Sequence, residues 1–198
     1  MPKAGAQAIT VSDSSGTIVD EDGFTAEKLA VLMDVKNHHY GRVADYAART
    51  GARFEAGKRP WHVPVDVALP CATQNELDGN DARTLIANGV LCVSEGANMP
   101  STIEAAKAFE TAGVLYAPGK ASNAGGVATS GLEMSQNAMR LSWTAEEVDN
   151  RLLMIMQGIH AACLKYGKRA DGSISYIDGA NVAGFVKVAD AMIAQGVI

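Results

Sequence analysis

Four short apolar runs in the first 120 residues alternate with helix-like segments, and each run ends in polar or turn-forming residues. The runs are AQAITVSD (6–13), VDVALP (65–70), VLCVSEG (90–96) and VLYAP (114–118). Helices are predicted between them, from a Thr25 cap to about Lys36, over 42–50, over 80–87, and from a Ser101–Glu104 capping box to Gly113. Apolar strands that alternate with helices are typical of parallel βαβ units, covered on both faces. The predicted fold class is therefore α/β.

The remaining residues, 121–198, are predicted to be helical. A capping box from Thr144 to Glu147 opens a helix with one apolar face, formed by Val148, Leu152, Ile155, Ile159, Ala162 and Tyr166. A final helix is predicted to begin at Asn181 and to direct inward its residues Val182, Phe185, Val186, Ala189 and Met192. We therefore divide the chain into a partial dinucleotide-binding domain at 1–120 and a helical segment at 121–198.

The glycine fingerprint of a dinucleotide-binding fold does not occur in this sequence. Such a fold begins with a strand, a G-x-G-x-x-G turn and a helix, and its first strand lies in the middle of the sheet. The pattern predicts a Rossmann-like parallel sheet that lacks its first βα unit, followed by a helical segment. We expect the chain to be a fragment, and an unpaired strand edge would make it prone to aggregation.

The charge balance excludes several classes of partner. The net charge is −5, which argues against nucleic acid or an anionic membrane. No apolar run approaches the ~20 residues that a membrane span needs, and the first residues lack the layout of a signal peptide. Cys71, Cys92 and Cys163 are odd in number and lie in apolar company. We interpret them as reduced core residues of a cytoplasmic protein.

The turn VSDSSG (11–16) offers two ways to meet a ribose at the end of a strand. Asp13 could accept hydrogen bonds from a 2′-hydroxyl, as acidic residues do at this position in NAD-binding folds. Ser14, Ser15 and the Gly16 amide could instead donate to a 2′-phosphate. An ordinary polar turn explains the segment equally well.

Two further polar turns, PCATQN (70–75) and SEGANMP (94–100), directly follow predicted strands. Ligands of open α/β sheets bind at these carboxyl ends. The amides of Asn75 and Asn98 both donate and accept, which suits a ribose hydroxyl or a carboxamide. Asn and Gly also populate turns for purely structural reasons, but two such turns in successive βα units favour a site.

The segment SNAGGVATSGLEMSQN (122–137) combines a glycine pair with a predicted helix start. Free amides and the dipole at a helix start attract an anion. A phosphate loop would carry a lysine after the glycine, and none is present, so a carboxylate is favoured near Ser130. The alternative is a helix start chosen for close packing. The four histidines have no metal-binding spacing, and we expect no metal site.

Five segments together resemble the carboxyl-terminal part of hexameric, NADP-dependent glutamate dehydrogenases. They are ITVSDSSG, LPCATQNEL, SEGANMP, APGKASNAGGVATSGLEMSQN and DGANVAGFVKVADAM. The resemblance covers essentially all 198 residues. Leucine and phenylalanine dehydrogenases share the fold, but they fit less well at EGANMP and at the serine of GGVATSGLEM.

The resemblance implies NADP as the cofactor, with NAD as the alternative that Asp13 alone would suggest. It places one turn beside the adenosine ribose and its 2′-phosphate, namely Ser12, Asp13, Ser14 and Ser15. It places a second set along the cofactor toward the nicotinamide ribose and carboxamide, namely Ala72, Thr73, Gln74, Asn75, Gly96 and Asn98. Val127 and Ser130 are implied to contact the side-chain carboxylate of glutamate, on a helical segment that returns toward the substrate cleft.

The resemblance also implies the chemistry. A hydride passes between the glutamate Cα and nicotinamide C4, and the iminium is hydrolysed to 2-oxoglutarate and ammonia. The catalytic lysines and aspartate of such enzymes belong to an amino-terminal substrate domain with no counterpart in this sequence. We therefore expect no catalytic residue in this chain and no activity from it alone, within a family of cytoplasmic homo-hexamers. The alternatives are a non-catalytic nucleotide-binding module and a structural module whose helical tail packs against a full-length subunit.

Overall fold

The computed structural model describes residues 5–196, which form two compact units that divide between Pro64 and Val65. The first unit contains, in chain order, β1 (Thr10–Asp13), β2 (Gly16–Val19), α1 (Ala26–Met33), α2 (Val43–Thr50) and β3 (Arg53–Ala56). The second contains β4 (Val67–Ala68), α3 (Gly79–Ala87), β5 (Cys92–Ser94), α4 (Ile103–Thr111), β6 (Leu115–Ala117), α5 (Gly119–Ser122), α6 (Gly125–Met139), α7 (Ala145–Gly167) and α8 (Tyr176–Gln195). The division into functional parts at residue 120 stays a prediction.

The sheet of the first unit is antiparallel, in the order β1–β2–β3. The prediction of parallel pairing is wrong here, because β1 turns directly back into β2, a strand that the sequence reading missed. Asp13 pairs with Gly16 across a two-residue turn. Gly16 has φ +147, and a Cβ there would lie 2.3 Å from the Glu55 carbonyl oxygen. Only glycine permits both this backbone angle and this close approach.

The core of the first unit lies between this sheet and its two helices. Its buried residues are Ile18, Phe24, Leu32, Val35, Val43, Tyr46 and Ala47. The Thr25 hydroxyl caps α1 by accepting from Lys28 N at 3.3 Å, as predicted. A wider π-type turn, Asp34–His38, continues α1, and α2 ends at Gly51 in the left-handed conformation.

The second unit contains the predicted parallel βαβ units. Strands β4, β5 and β6 pair in parallel, with α3 and α4 as the crossovers, so the α/β prediction is confirmed here. The cap of α4 differs from the prediction, because Ser101 is buried in an isolated bridge with Leu77. Thr102 takes the cap position and accepts from Ala105 N at 3.3 Å.

The three long helices follow the parallel sheet. The Thr144–Glu147 capping box opens α7, and the predicted apolar face of α7 is its half-buried side. The predicted start of the last helix at Asn181 is wrong, because the Ser175 hydroxyl accepts from Asp178 N at 3.1 Å and α8 begins at Tyr176. Among the described helices, none is long and apolar enough to cross a membrane.

The predicted inward face of α8 is also wrong in part. Val186 and Ala189 are half-buried, but Val182, Phe185 and Met192 are exposed. The reason is the glycine contact between α7 and α8: a Cβ at Gly179 would lie 2.2 Å from the Cys163 carbonyl oxygen. The narrow glycine side of α8 therefore packs on α7, and its larger apolar side chains face away.

Candidate functional site

The turn after β1 is organised around the carboxylate of Asp13. Oδ1 accepts from the Ser15 amide at 2.8 Å and from the Ser15 hydroxyl at 2.7 Å. Oδ2 accepts from Lys36 Nζ at 2.9 Å and from the Val43 amide at 3.0 Å, which is the first amide of α2. An ionised carboxylate has about four acceptor positions, so these four donors occupy Asp13 fully.

The electrostatics of Asp13 follow from these contacts. Burial of the carboxyl group by itself raises its pKa, but the hydrogen bonds from Ser15, Lys36 and Val43 outweigh that effect. The pKa of Asp13 therefore lies well below its usual range, and the group is ionised at neutral pH.

Two side chains of this turn remain open to a ligand, because Ser12 and Ser14 are exposed while Asp13 and Ser15 are half-buried.

The structure also places a cation, Lys36, beside this turn, and the sequence analysis did not predict it. Lys36 lies 23 residues from Asp13 in sequence, and only the fold brings its ammonium group to the turn. The signal in the sequence was slight: a lysine at the end of the first predicted helix of a βαβ-like pattern.

The turns after β4 and β5 interlock through backbone hydrogen bonds. The amides of Gly96 and Ala97 both donate to the Pro70 carbonyl oxygen, at 2.9 and 3.1 Å, and Asn75 N donates to Met99 O at 3.0 Å. The two turns that sequence analysis singled out separately are therefore one structural feature, at the carboxyl ends of adjacent parallel strands. Its outward side chains are exposed, namely Ala72, Thr73, Gln74, Asn75 and Asn98.

The close approach of these turns favours glycine at position 96. A Cβ there would lie 2.5 Å from Cys71 Sγ, a distance that forces one group to move. Asn75 and Met99 both adopt left-handed backbone angles, with φ of 58° and 52°. Such angles are uncommon for residues other than glycine, and for Met99 they indicate local strain.

Glu95 is a buried carboxylate that sequence reasoning missed, although it lies inside the segment SEGANMP. Its Oε1 accepts from the Ser101 amide at 3.2 Å and from the Tyr116 hydroxyl, and its Oε2 accepts from the Gly119 amide at 2.6 Å. Glu95 therefore ties the turn after β5 to β6 and to the start of α5. Burial, together with the hydrogen bond to Glu95, raises the pKa of Tyr116 above its usual range, so the phenol stays protonated and donates.

A second tie joins the end of α5 to the same turn. Ser122 Oγ donates to the Glu95 carbonyl oxygen at 2.5 Å. Asn123 Nδ2 donates to Ala97 O at 3.1 Å and to Asn98 Oδ1 at 2.8 Å. Residues at both ends of α5 therefore form hydrogen bonds with the turn that carries Asn98.

The glycine pair of the segment 122–137 opens α6, which begins at Gly125 and therefore places Ser130 in its second turn. Val127 and Ser130 are exposed, and their three-residue spacing puts them on the same side of the helix. A Cβ at Gly126 would meet nothing within 4 Å, and one at Gly125 would make ordinary contact with Leu152 at 3.5 Å. Packing therefore does not demand this glycine pair, which weakens the interpretation of a purely structural helix start.

The three cysteines differ in burial, although all three were predicted to lie in the core. Cys163 is buried, Cys92 is half-buried, and Cys71 is exposed, so the expectation of a core position is wrong for Cys71. The reason is its place at the outer edge of the interlocked turns, against Gly96. Burial raises the pKa of all three thiols. Within residues 5–196, no cluster of three or more His, Cys, Asp or Glu side chains could hold a metal ion.

Comparison with known proteins gives a consistent result. The sequence profile of the Glutamate/Leucine/Phenylalanine/Valine dehydrogenase family matches residues 1–196. The chain is 66% identical to the NADP-specific glutamate dehydrogenase of Salmonella typhi, over 98% of this chain and 43% of that protein. It is 56% identical to the NAD-specific glutamate dehydrogenase of Bacteroides fragilis, over 98% of this chain and 44% of that protein.

A solved structure agrees with these sequence matches. The glutamate dehydrogenase of Plasmodium falciparum superimposes with a TM-score of 0.91 and 44% identity, over 97% of this chain and 42% of that one. The chain thus spans less than half the length of the proteins that it matches.

Proposed function

Because the chain belongs to the Glutamate/Leucine/Phenylalanine/Valine dehydrogenase family, we propose that it forms the cofactor side of an NADP-dependent glutamate dehydrogenase. The parent enzyme passes a hydride between the Cα of L-glutamate and nicotinamide C4, and yields 2-oxoglutarate and ammonia. The observation that carries the proposal is the pair of interlocked turns. They present Ala72, Thr73, Gln74, Asn75 and Asn98 at the carboxyl ends of adjacent parallel strands, where nucleotide cofactors bind in such sheets.

The preference for NADP rests on the turn after β1. The four donors that occupy Asp13 leave its carboxylate no acceptor position for a 2′-hydroxyl, which is the contact that NAD would need. The exposed hydroxyls of Ser12 and Ser14, with Lys36 beside them, suit a 2′-phosphate better. The relative at 66% identity is named NADP-specific and the one at 56% NAD-specific, which agrees with NADP as the first choice and NAD as the second.

The role that we propose for α6 is to hold the side-chain carboxylate of glutamate. Val127 packs against the aliphatic part of the substrate, and the Ser130 hydroxyl donates to the carboxylate. Both residues are exposed on the same side of the helix, and the neighbouring glycines leave room beside them. In this proposal the described residues hold both reactants in position, which is a major contribution to a hydride transfer.

Catalytic acid–base groups are not assigned to this chain. We propose that they come from the part of the relatives that this chain does not match, which is more than half of their length, and that the whole enzyme is a cytoplasmic homo-hexamer. Neither nucleic acid nor membrane is proposed as a partner.

Two measurements on the purified chain test this proposal. NADPH should bind, as measured by the enhancement of its fluorescence or by calorimetry, and NADH should bind more weakly. NADPH oxidation with 2-oxoglutarate and ammonium should not occur with the chain alone. Absence of NADPH binding by a folded chain would favour a structural module, and measurable turnover would overturn the assignment of catalysis to another part.

A further inference from the structure

The side-chain amides of Asn98 and Asn123 form a pair whose orientation is set by a backbone group. The Nδ2 group of Asn123 has two hydrogens, and it lies within hydrogen-bond distance of two oxygens, Ala97 O at 3.1 Å and Asn98 Oδ1 at 2.8 Å. A backbone carbonyl oxygen only accepts, so Asn123 must present its NH₂ group on this side. Asn98 must then present its oxygen to Asn123, and its own NH₂ group is directed elsewhere.

Further hydrogen bonds anchor the backbone that carries Asn123. The backbone N–H of Asn123 donates to the Gly119 carbonyl oxygen at 2.9 Å. Gly119 N and Ser122 Oγ in turn donate to the side chain and the carbonyl oxygen of the buried Glu95. These bonds tie α5 to the turn after β5. Rotation of the Asn123 side-chain amide by 180° would therefore break its hydrogen bonds to Ala97 O and Asn98 Oδ1, and would leave Ala97 O facing another oxygen.

We propose that Asn123 is a positioning residue that fixes the polarity of Asn98. Asn98 is exposed, and no hydrogen bond from its Nδ2 to another described residue is present. Because its oxygen is directed toward Asn123, Asn98 directs its NH₂ group away from α5 and acts there on a ligand as a donor. The ligand group that it recognises is therefore an acceptor oxygen, either a hydroxyl or a carbonyl. The identity of that ligand rests on the proposed function, in which the oxygen belongs to the nicotinamide ribose or carboxamide.

Substitutions at position 123 separate orientation from simple loss of contact. Asn123→Ala frees the Asn98 amide to rotate, and we expect NADPH affinity to fall about 3-fold, the scale of ordering one side chain. Asn123→Asp cannot donate to Asn98, so Asn98 turns its NH₂ group toward the new carboxylate and presents its oxygen to the ligand. Affinity should then fall by about 10-fold or more if the ligand oxygen is a carbonyl, because two acceptors face each other, and by about 3-fold if it is a hydroxyl, which can rotate and donate to the Asn98 oxygen. Asn181→Ala is the matched control, because Asn181 pairs with Lys120 of α5, and it should leave affinity unchanged.

A double-mutant cycle distinguishes positioning from a direct or structural role. In the Asn98→Ala background, Asn123→Asp should change NADPH affinity less than about 2-fold, because the residue through which it acts is gone. An equal loss in both backgrounds would overturn the proposal, since a direct contact, a charge effect on the cofactor or a general loss of structure would all persist without Asn98.

A measurement on the free chain tests the orientation without any cofactor. Side-chain amide protons observed by NMR should exchange slowly with water at Asn123 and rapidly at Asn98, and Asn98→Ala and Asn123→Ala assign the two signals. Protection at Asn98 with rapid exchange at Asn123 would overturn the inference. If the predicted exchange pattern is found but NADPH does not bind, the proposed function fails while the orientation of the pair stands.

Discussion

The ammonium group of Lys36 lies 2.9 Å from Oδ2 of Asp13, the same carboxylate oxygen that accepts the first amide of α2. One acidic side chain thus holds together the β1–β2 turn, the middle of the π-type turn and the start of α2. The sequence predicts that Asp13 contacts a ribose. In the folded chain Asp13 instead stabilises the turn whose neighbouring side chains could make that contact.

Asp13→Asn should destabilise the first unit. An amide presents only one oxygen, so at least one donor among Ser15, Lys36 and Val43 loses its partner, at a cost of about 1–3 kcal/mol. Urea unfolding in a Trp143→Phe background measures this, because the remaining Trp61 is buried in the first unit. Asp22→Asn makes the same chemical change at an exposed site of that unit and should have little effect. Equal stability of the two variants would contradict the structural role of Asp13.

The pH dependence of this unit follows from the same carboxylate. The folded pKa of Asp13 is depressed, so its contribution to stability is fully present above the ordinary carboxyl pKa of about 3.9 and is lost as the pH falls below it. The difference in unfolding free energy between the native chain and Asp13→Asn should therefore shrink steadily from pH 5 toward pH 3. A difference that stays constant over this range would show that Asp13 is not the titrating group.

Lys36→Met should lower affinity for NADPH more than affinity for NADH. Loss of one cation beside a 2′-phosphate removes a charge-assisted contact, and we expect about a 5-fold weakening for NADPH alone. The control is Lys28→Met, because Lys28 forms an equivalent ion pair with Asp20 in the same unit and is exposed to the same extent, 35% for each lysine side chain. If Lys36→Met weakened the binding of NADPH and NADH equally, Lys36 would not contact the 2′-phosphate.

Gly96→Ala should separate the interlocked turns. The added Cβ would lie 2.5 Å from Cys71 Sγ, and such overpacking costs about 1–3 kcal/mol. Cys71→Ala in the same chain removes the sulfur atom and should restore part of the lost stability. Thermal unfolding of Gly96→Ala and of the double variant measures the effect. Gly126→Ala is the control, because its added Cβ meets no atom within 4 Å. Failure of Cys71→Ala to rescue would show that the contact is not the cause.

The exposed apolar side chains of α8 predict self-association of the isolated chain. Phe185 and Ile193 are 72% and 79% exposed, and apolar surface of this kind is removed from water by association. Phe185→Lys with Ile193→Lys should shift the chain toward monomer in sedimentation or light scattering. Gln157→Lys adds a charge at an exposed position of α7 instead and should not. A monodisperse monomer of the unaltered chain would contradict this prediction and the expected tendency to aggregate.

The sequence by itself determined the features that depend on neighbours along the chain. The parallel βαβ units of the second unit and the caps at Thr25 and Thr144 were all predicted, because periodicity and capping act over a few residues. The same locality explains why the polar turns at 70–75 and 94–100 were recognised as candidate sites, and why the motifs they contain identified the family.

Only the tertiary structure decided which groups meet. The sequence pattern of β1 alone predicts a strand followed by a crossover helix. In the structure the two-residue turn Ser14–Ser15 reverses the chain instead, so β2 and its antiparallel pairing were missed. The buried side of α8 was fixed by Gly179 against α7 and not by its larger apolar residues. Three of the contacts found only in the structure join residues 21 to 25 positions apart: Lys36 with Asp13, Glu95 with Tyr116 and Gly119, and Asn123 with Asn98. Contacts across such separations depend on how the chain closes on itself, which no local pattern of residue types encodes.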